Sequence, residues 1–297
     1  MKKTNISALL LAALLLIQLL CAPVSAVTAE PAADAQADAQ TASDNSAEDA
    51  AAEADSVPED QLLSSREQFS VAAKAALLID LNTNRVVYEQ DADERVYPAS
   101  LTKIMTCLIA LENGNLSDVV TVSESALADL DEDSSVAGLV VGEQMTLENL
   151  LYCMMVVSGN DACNVIAEHV AGSVTDFVRM MNQRAYELGC TNTHFNNPHG
   201  LHDESHYTTA RDLAIITQAA LKSENFRQIV DTYEYKLPDD NMRQNIPKLK
   251  TTNMLIYQSM SNSLYYPRAH GIKTGYTSQA GRCVISEATG DGLDLLG

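Results

Sequence analysis

The chain has 297 residues, 46% of them hydrophobic, which is enough for a sizeable core and argues against wholesale disorder. Its 19 basic and 40 acidic residues give a formal net charge of −21, so it has no basic surface to release counterions from a polyphosphate. With no Trp and only 5% aromatic residues it also lacks stacking platforms for single strands, and no nucleic-acid partner is expected.

Residues 1–26 read as a secretory signal peptide. Lys2 and Lys3 form the charged start, Ala8–Leu20 the apolar stretch, and Val24-Ser25-Ala26 the small-residue cleavage site, so the mature chain is expected to begin at Val27. The apolar stretch is too short for a membrane anchor and Gln18 interrupts it. Cys21 suggests a lipoprotein signal, but Leu20 stands where a small residue would be needed. Residues 27–66 form an acidic, Ala-rich linker. Ten acids fall in residues 27–60 without a single base, and almost no large apolar side chain offsets the entropy of ordering.

Residues 67–297 are expected to form the catalytic domain. Ala75–Asp80 and Arg85–Gln90 are strand-like runs around the hairpin signal Leu81-Asn82-Thr83-Asn84. From Ser100 the apolar positions Ile104, Cys107, Leu108 and Leu111 recur at helical spacing as far as Gly114. Thr146–Val156 and Asp161–Val170 form a helical pair broken at Ser158-Gly159-Asn160. Ser173-Val-Thr-Asp176 and Thr209-Ala-Arg-Asp212 are capping boxes. The first opens a helix that Gly189 stops, and the second opens Leu213–Leu221. Strands return at Tyr233–Leu237, Gly271–Thr274 and Arg282–Glu287. This order predicts an α+β (α/β) chain, with one sheet made from both chain ends and covered by helices. Cys107, Cys153, Cys163, Cys190 and Cys283 show no disulfide framework and are expected as buried free thiols.

Three short motifs carry chemistry. Ser100-Leu101-Thr102-Lys103 puts a hydroxyl and an amine on one helix face, where a buried amine can take the hydroxyl proton. A Ser at a helix start also offers its backbone N–H to a developing oxyanion. Ser158-Gly159-Asn160 fits a proton relay and peptide clamp at a cleft, and equally a turn capping the Asp161 helix. Lys273-Thr274-Gly275 fits a strand that seats a carboxylate beside an extended peptide, with Gly275 leaving room for that backbone, and equally an edge strand with a solvated Lys.

In this order and placement, Ser-x-x-Lys, Ser-x-Asn and Lys-Thr-Gly resemble the active-site serine penicillin-recognising enzymes. Five longer runs narrow the resemblance: Tyr97-Pro-Ala-Ser-Leu-Thr-Lys103, Ser158-Gly-Asn-Asp-Ala162, Asn197-Pro-His-Gly-Leu201, Thr209-Ala-Arg-Asp-Leu-Ala214 and His270-Gly-Ile-Lys-Thr-Gly-Tyr-Thr277. They resemble serine-type D-alanyl-D-alanine carboxypeptidases of the low-molecular-mass penicillin-binding protein family, from about Ala75 to Gly297. The resemblance implies a penicillin-binding/β-lactamase-like fold, with Ser100 as acylated nucleophile and Lys103 as its general base. Ser158 would relay the proton and Asn160 would bind the substrate peptide amide. Lys273 would set the electrostatics, and Thr274 and Thr277 would bind the terminal carboxylate beside Gly275. The backbone N–H groups of Ser100 and Tyr276 would form the oxyanion hole. The implied partners are a peptidoglycan stem peptide ending in D-Ala-D-Ala and β-lactams as covalent inhibitors, with no metal or organic cofactor. The implied place of action is outside the cytoplasm, at the cell wall or the outer face of the membrane.

Two departures stand out. Family members often place an Arg before the Lys-Thr-Gly strand to hold the carboxylate, whereas Lys248–Leu255 offers only Lys248 and Lys250. The residues Gly290–Gly297 read as the opening of the last strand, so the C-terminal part of the sheet is expected to be truncated. Membrane contact would then fall to a C-terminal segment beyond it. His199, His202 and His206 match no zinc spacing and read as loop. A β-lactamase would need a deacylating Glu in a Glu-x-x-Leu-Asn run, and none lies between Asn160 and Lys273. An endopeptidase on the same fold, or a peptidoglycan-binding module lacking catalysis, completes the alternatives; the module would predict loss of a motif residue, and all three motifs are intact.

Overall fold

Strand-like runs at both ends of the globular region meet in one antiparallel sheet. The computed structural model describes residues 71–297 apart from 129 and 131–133; the signal-like start, the linker and the 66/67 boundary lie outside the described residues. Strands β1 (Ala76–Asp80) and β2 (Arg85–Gln90) form the first hairpin. Asp80 accepts the Asn82 N–H and the Thr83 hydroxyl in the turn, and Asn84 takes the left-handed conformation that Asn tolerates. Two short ribbons, β3 (Val119–Thr121) with β4 (Gln144–Thr146) and β5 (Glu234–Tyr235) with β6 (Leu249–Lys250), lie outside the main sheet. The strand expected at Tyr233–Leu237 thus shrinks to two residues. Strands β7 (Ala269–Thr277), β8 (Gly281–Gly290) and β9 (Leu293–Leu296) complete a sheet of order β2-β1-β9-β8-β7. The last segment, read as an opening strand in a truncated sheet, does form β9 and joins β8 to β1. The sheet is therefore continuous, although β9 pairs with only Ile79 and Asp80 of β1.

The helices are α1 (Lys103–Asn113), α2 (Glu124–Ala128), α3 (Leu147–Val156), α4 (Asn160–Ala171), α5 (Val174–Glu187), α6 (Ala210–Ala220) and α7 (Glu224–Val230). Every residue of α1 from Lys103 to Ala110 is buried, which makes it the central helix, packed against α3, α4, α5, α6 and α7. The caps fall where the sequence puts them: Ser173 accepts the Asp176 N–H and Thr209 accepts the Asp212 N–H, each at 3.0 Å. Ser223 caps α7 in the same way, on Phe226. Cys107, Cys153, Cys163 and Cys190 are buried thiols, whereas Cys283 on β8 is only half-buried, contrary to expectation. Among the described residues no helix is long and apolar enough to cross a membrane.

Candidate active site

Ser100 lies not in the α-helix proper but in a turn of 3₁₀-helix, Ala99–Thr102, that leads into α1. Ala99 just before it has φ 48°, a left-handed conformation costing a residue with a Cβ about 1–3 kcal/mol, and this turns Ser100 out of the helix toward the cleft. Two glycines make the turn possible. A Cβ on Gly200 would lie 1.9 Å from the Ala99 carbonyl oxygen, and one on Gly275 would lie 3.0 Å from the Ser100 nitrogen. Gly275 was expected to leave room for a substrate backbone. The space its missing side chain frees is instead filled by the turn that carries Ser100. The same closeness sets Gly275 of β7 against the turn that carries Ser100.

Lys103 is fully buried, and its Nζ has three partners: Ser100 Oγ at 3.0 Å, Asn160 Oδ1 at 2.7 Å and the His199 carbonyl at 2.7 Å. Two of these can only accept, while the hydroxyl can also donate. The three contacts fit the three N–H bonds of an ammonium, and a neutral amine can keep the two carbonyl contacts while its lone pair takes the Ser100 O–H. Burial pushes the Lys103 pKa down, against an opposing pull from Cys163 and Asp161. Thr106 donates to the Pro198 carbonyl at 2.6 Å, so successive turns of α1 hold the 197–200 loop. His206 Nδ1 accepts the Asn196 N–H, which leaves Nε2–H to donate to Thr102 Oγ1 at 2.8 Å. Burial lowers His206 to about 4. His199 falls to about 3, through burial and then the nearby Lys103 charge. Among the described residues no three His, Cys, Asp or Glu side chains converge as metal ligands.

Ser158 stands in the break between α3 and α4 with φ 63°, a second left-handed non-glycine residue in the site. Lys273 Nζ, 1% exposed, donates to Ser158 Oγ at 3.1 Å and to the Thr274 carbonyl at 2.8 Å. Burial, and then the charge of Lys103, hold the Lys273 pKa well below the ordinary ammonium value. Lys273 belongs to β7, an edge of the five-stranded sheet among the described residues, so an extended peptide can pair beside it. Tyr276 is 67% exposed at the rim. Thr277 lies farther along, where its Oγ1 accepts the Ala280 N–H at 3.0 Å in the β7–β8 turn. Ser100, Lys103, Ser158, Asn160, Lys273, Thr274 and Gly275 therefore come together, with Tyr276 and Thr277 at the border.

Two residues escaped the sequence reading. Asp161, 2% exposed, accepts the backbone N–H groups of Ala137, Gly138, Leu139 and Ala162 at 2.9–3.0 Å, tying a distant loop to the start of α4. The Asn160 N–H reaches Ser135 O in the same loop at 2.8 Å. An acid in a first helical turn is a visible signal, but its loop partner is not. Thr252 is the other: its Oγ1 lies 2.6 Å from Thr274 Oγ1. Lys248, one of the two cations noted in that stretch, pairs instead with Glu234, and Lys250 sits opposite Glu234 in the β5–β6 ribbon.

The sheet with its buried central helix, together with the Ser–Lys pair at the head of that helix, defines the penicillin-binding type of fold. Residues 62–296 match the D-alanyl-D-alanine carboxypeptidase family model, and the chain belongs to that family. It is 41% identical over 224 residues to the D-alanyl-D-alanine carboxypeptidase DacF of Bacillus subtilis, covering 73% of this chain and 54% of that protein. DacA of Haemophilus influenzae is 37% identical over 225 residues, covering 74% of this chain and 54% of DacA. The chain thus spans about half the length of these curated relatives. The crystal structure of a Streptomyces DD-transpeptidase superposes with a TM-score of 0.69 at 32% identity, over 77% of this chain and 89% of that one. Penicillin binding protein 5 from Haemophilus influenzae gives 0.67 at 34%, over 76% and 64%.

Proposed function

We propose that this protein is a serine-type D-Ala-D-Ala carboxypeptidase that removes the terminal D-alanine from peptidoglycan stem peptides through an acyl-enzyme on Ser100. The observation that carries this reading is the buried Lys103 amine, 3.0 Å from Ser100 Oγ, with its other two hydrogen bonds on pure acceptors. As Ser100 Oγ attacks the carbonyl carbon of the penultimate D-alanine, its proton passes to the Lys103 lone pair. The tetrahedral oxyanion collapses, the C–N bond breaks, and the leaving amine receives that proton by way of Ser158, which Lys273 holds from behind. Water then cleaves the ester and restores Ser100. Asn160 holds the substrate amide, and Thr274 and Thr277 face its terminal carboxylate. Gly275 lets β7 lie against the nucleophile, and the N–H groups of Ser100 and Tyr276 stabilise the oxyanion.

On the same reading β-lactams are covalent inhibitors, because their strained amide acylates Ser100 and leaves no departing amine. The protein acts outside the cytoplasm, exported by residues 1–26 and tethered by 27–66, with 67–297 as the catalytic domain. Intact-mass spectrometry after incubation with penicillin, alongside an assay of released D-alanine, tests the proposal. Wild type should gain one penicillin mass and release D-alanine, and Ser100→Ala should do neither. A persisting adduct in that variant would remove Ser100 from the mechanism.

A further inference from the structure

The family resemblance calls for a cation beside the Lys-Thr-Gly strand, and among the described residues no lysine or arginine side chain bonds the Thr274 hydroxyl. Lys248 is occupied by Glu234, and Lys273 is sealed beneath the strand with its Nζ on Ser158 and the Thr274 carbonyl. What does reach the cleft surface at Thr274 is a second hydroxyl. Thr252 Oγ1 lies 2.6 Å from Thr274 Oγ1, close enough that one hydroxyl spends its proton on the other. The backbone on either side fixes Thr252 in place. The Thr251 N–H bonds the Tyr233 carbonyl at 2.9 Å, and the Thr252 N–H bonds the Val156 carbonyl at 3.2 Å, at the end of α3. The Asn253 side chain is buried and donates to the Gly271 carbonyl at 2.6 Å, at the start of β7. Thr252 is thus held between the helix that leads to Ser158 and the strand that carries Lys273.

We propose that Thr252 is a substrate-binding, specificity-determining residue: its hydroxyl and that of Thr274 form a paired donor site for the terminal carboxylate, in place of a guanidinium. The inference rests on the carboxypeptidase reading. When the carboxylate arrives, the hydrogen bond between the two hydroxyls breaks and each O–H donates to one carboxylate oxygen. The buried Lys273 supplies charge from below without direct contact. Neutral donors to a carboxylate give charge-assisted bonds, though weaker than a bidentate guanidinium pair. The site therefore recognises a free carboxylate by two aligned hydroxyls, and loss of either one should be felt in binding rather than in bond breaking.

The test uses the full-length protein and two variants. Thr252→Val removes the hydroxyl at nearly constant shape, and Thr252→Ser restores it. Each is assayed with a peptide ending in D-Ala-D-Ala, with its C-terminal amide, and with penicillin, whose carboxylate is read through the acylation rate. Expected for Thr252→Val is a rise of about tenfold or more in KM for the carboxylate peptide and a similar loss in penicillin acylation efficiency. Its kcat, and its handling of the amide, should stay within about twofold of wild type, and Thr252→Ser should behave like wild type. Unchanged KM and penicillin acylation in Thr252→Val would overturn the inference alone. An equal loss on peptide and amide would also overturn it, because Thr252 would then serve the backbone rather than the carboxylate. If wild type cleaves neither peptide yet is acylated by penicillin, the carboxypeptidase reading fails, and penicillin still judges Thr252.

Discussion

Replacing Asp161 with Asn should weaken the protein and, at the same time, move the acidic limb of its acylation profile to lower pH. In the wild type one carboxylate oxygen accepts the N–H groups of Ala137 and Ala162, and the other those of Gly138 and Leu139, all at 2.9–3.0 Å. Asn keeps one oxygen and turns an NH₂ toward the other pair, so two buried N–H groups lose their acceptor. Each orphaned group costs about 1–3 kcal/mol, and partial relaxation of the loop brings the sum to about 3 kcal/mol. For a domain of this size that lowers the melting temperature by about 6–12 °C. The second effect is electrostatic. Asp161 raises the Lys103 pKa, as does Cys163, but the Cys163 thiol is itself pushed up by burial to about 11 and is neutral near pH 7. Removing the Asp161 charge takes away the chief opposition to the burial that lowers Lys103. On the proposed reading Lys103 must be neutral to accept the Ser100 proton, and it then stays neutral to lower pH. Stopped-flow acylation by a chromogenic cephalosporin across pH, with thermal melts on the same samples, reads both effects. A limb that moves to higher pH would refute the electrostatic argument, and an unchanged melting temperature would refute the loop clamp.

Two further perturbations test other parts of the site. Lys103→Arg puts a permanently charged group there that cannot accept a proton in the working range, so acylation by penicillin should drop about 10²–10⁴-fold, and a rate near wild type would remove Lys103 as the base. His206 and His199 are held to about 4 and about 3, below the ordinary 6.5, so their stabilisation is present above about pH 6.5 and lost as pH falls toward those values. Thermal melts should therefore fall between about pH 6.5 and about pH 4, and His206→Asn should flatten that slope; an equally steep slope in the variant would clear His206 of the effect.

The sheet, the helices and most of the site were legible because each rests on a local signal. The strand-like runs at Ala76–Asp80 and Arg85–Gln90, and the capping boxes at Ser173 and Thr209, produced elements near where they were expected. The three motifs were legible as residue types at fixed spacing. What the sequence did not reveal depends on chain segments far apart. Thr252 meets Thr274 across 22 residues, and Asp161 holds a loop more than 20 residues away through backbone groups that carry no side-chain signature. Gly275 was read correctly as a position that needs to be small, but for a different neighbour, since only the fold brings Ser100 to it.

The arrangement of charge gives the site its remaining logic. Two lysine amines are buried on either side of the α3–α4 break, and each has its pKa lowered mainly by burial. The charge of Lys103 is also one of the forces on Lys273, and by Coulomb's law the effect is mutual. The two amines therefore cannot both hold a proton cheaply in so dry a place. Their neighbours differ in what they can do about it. Lys103 reaches Ser100, Asn160 and the His199 carbonyl, whereas Lys273 lies beneath Thr274, where on the proposed reading a substrate carboxylate would bring a negative charge. On the proposed reading, binding that carboxylate favours the charged form of Lys273. A charged Lys273 in turn disfavours charge on Lys103, so recognition of the substrate's end and readiness of the base at Ser100 are coupled through one buried pair.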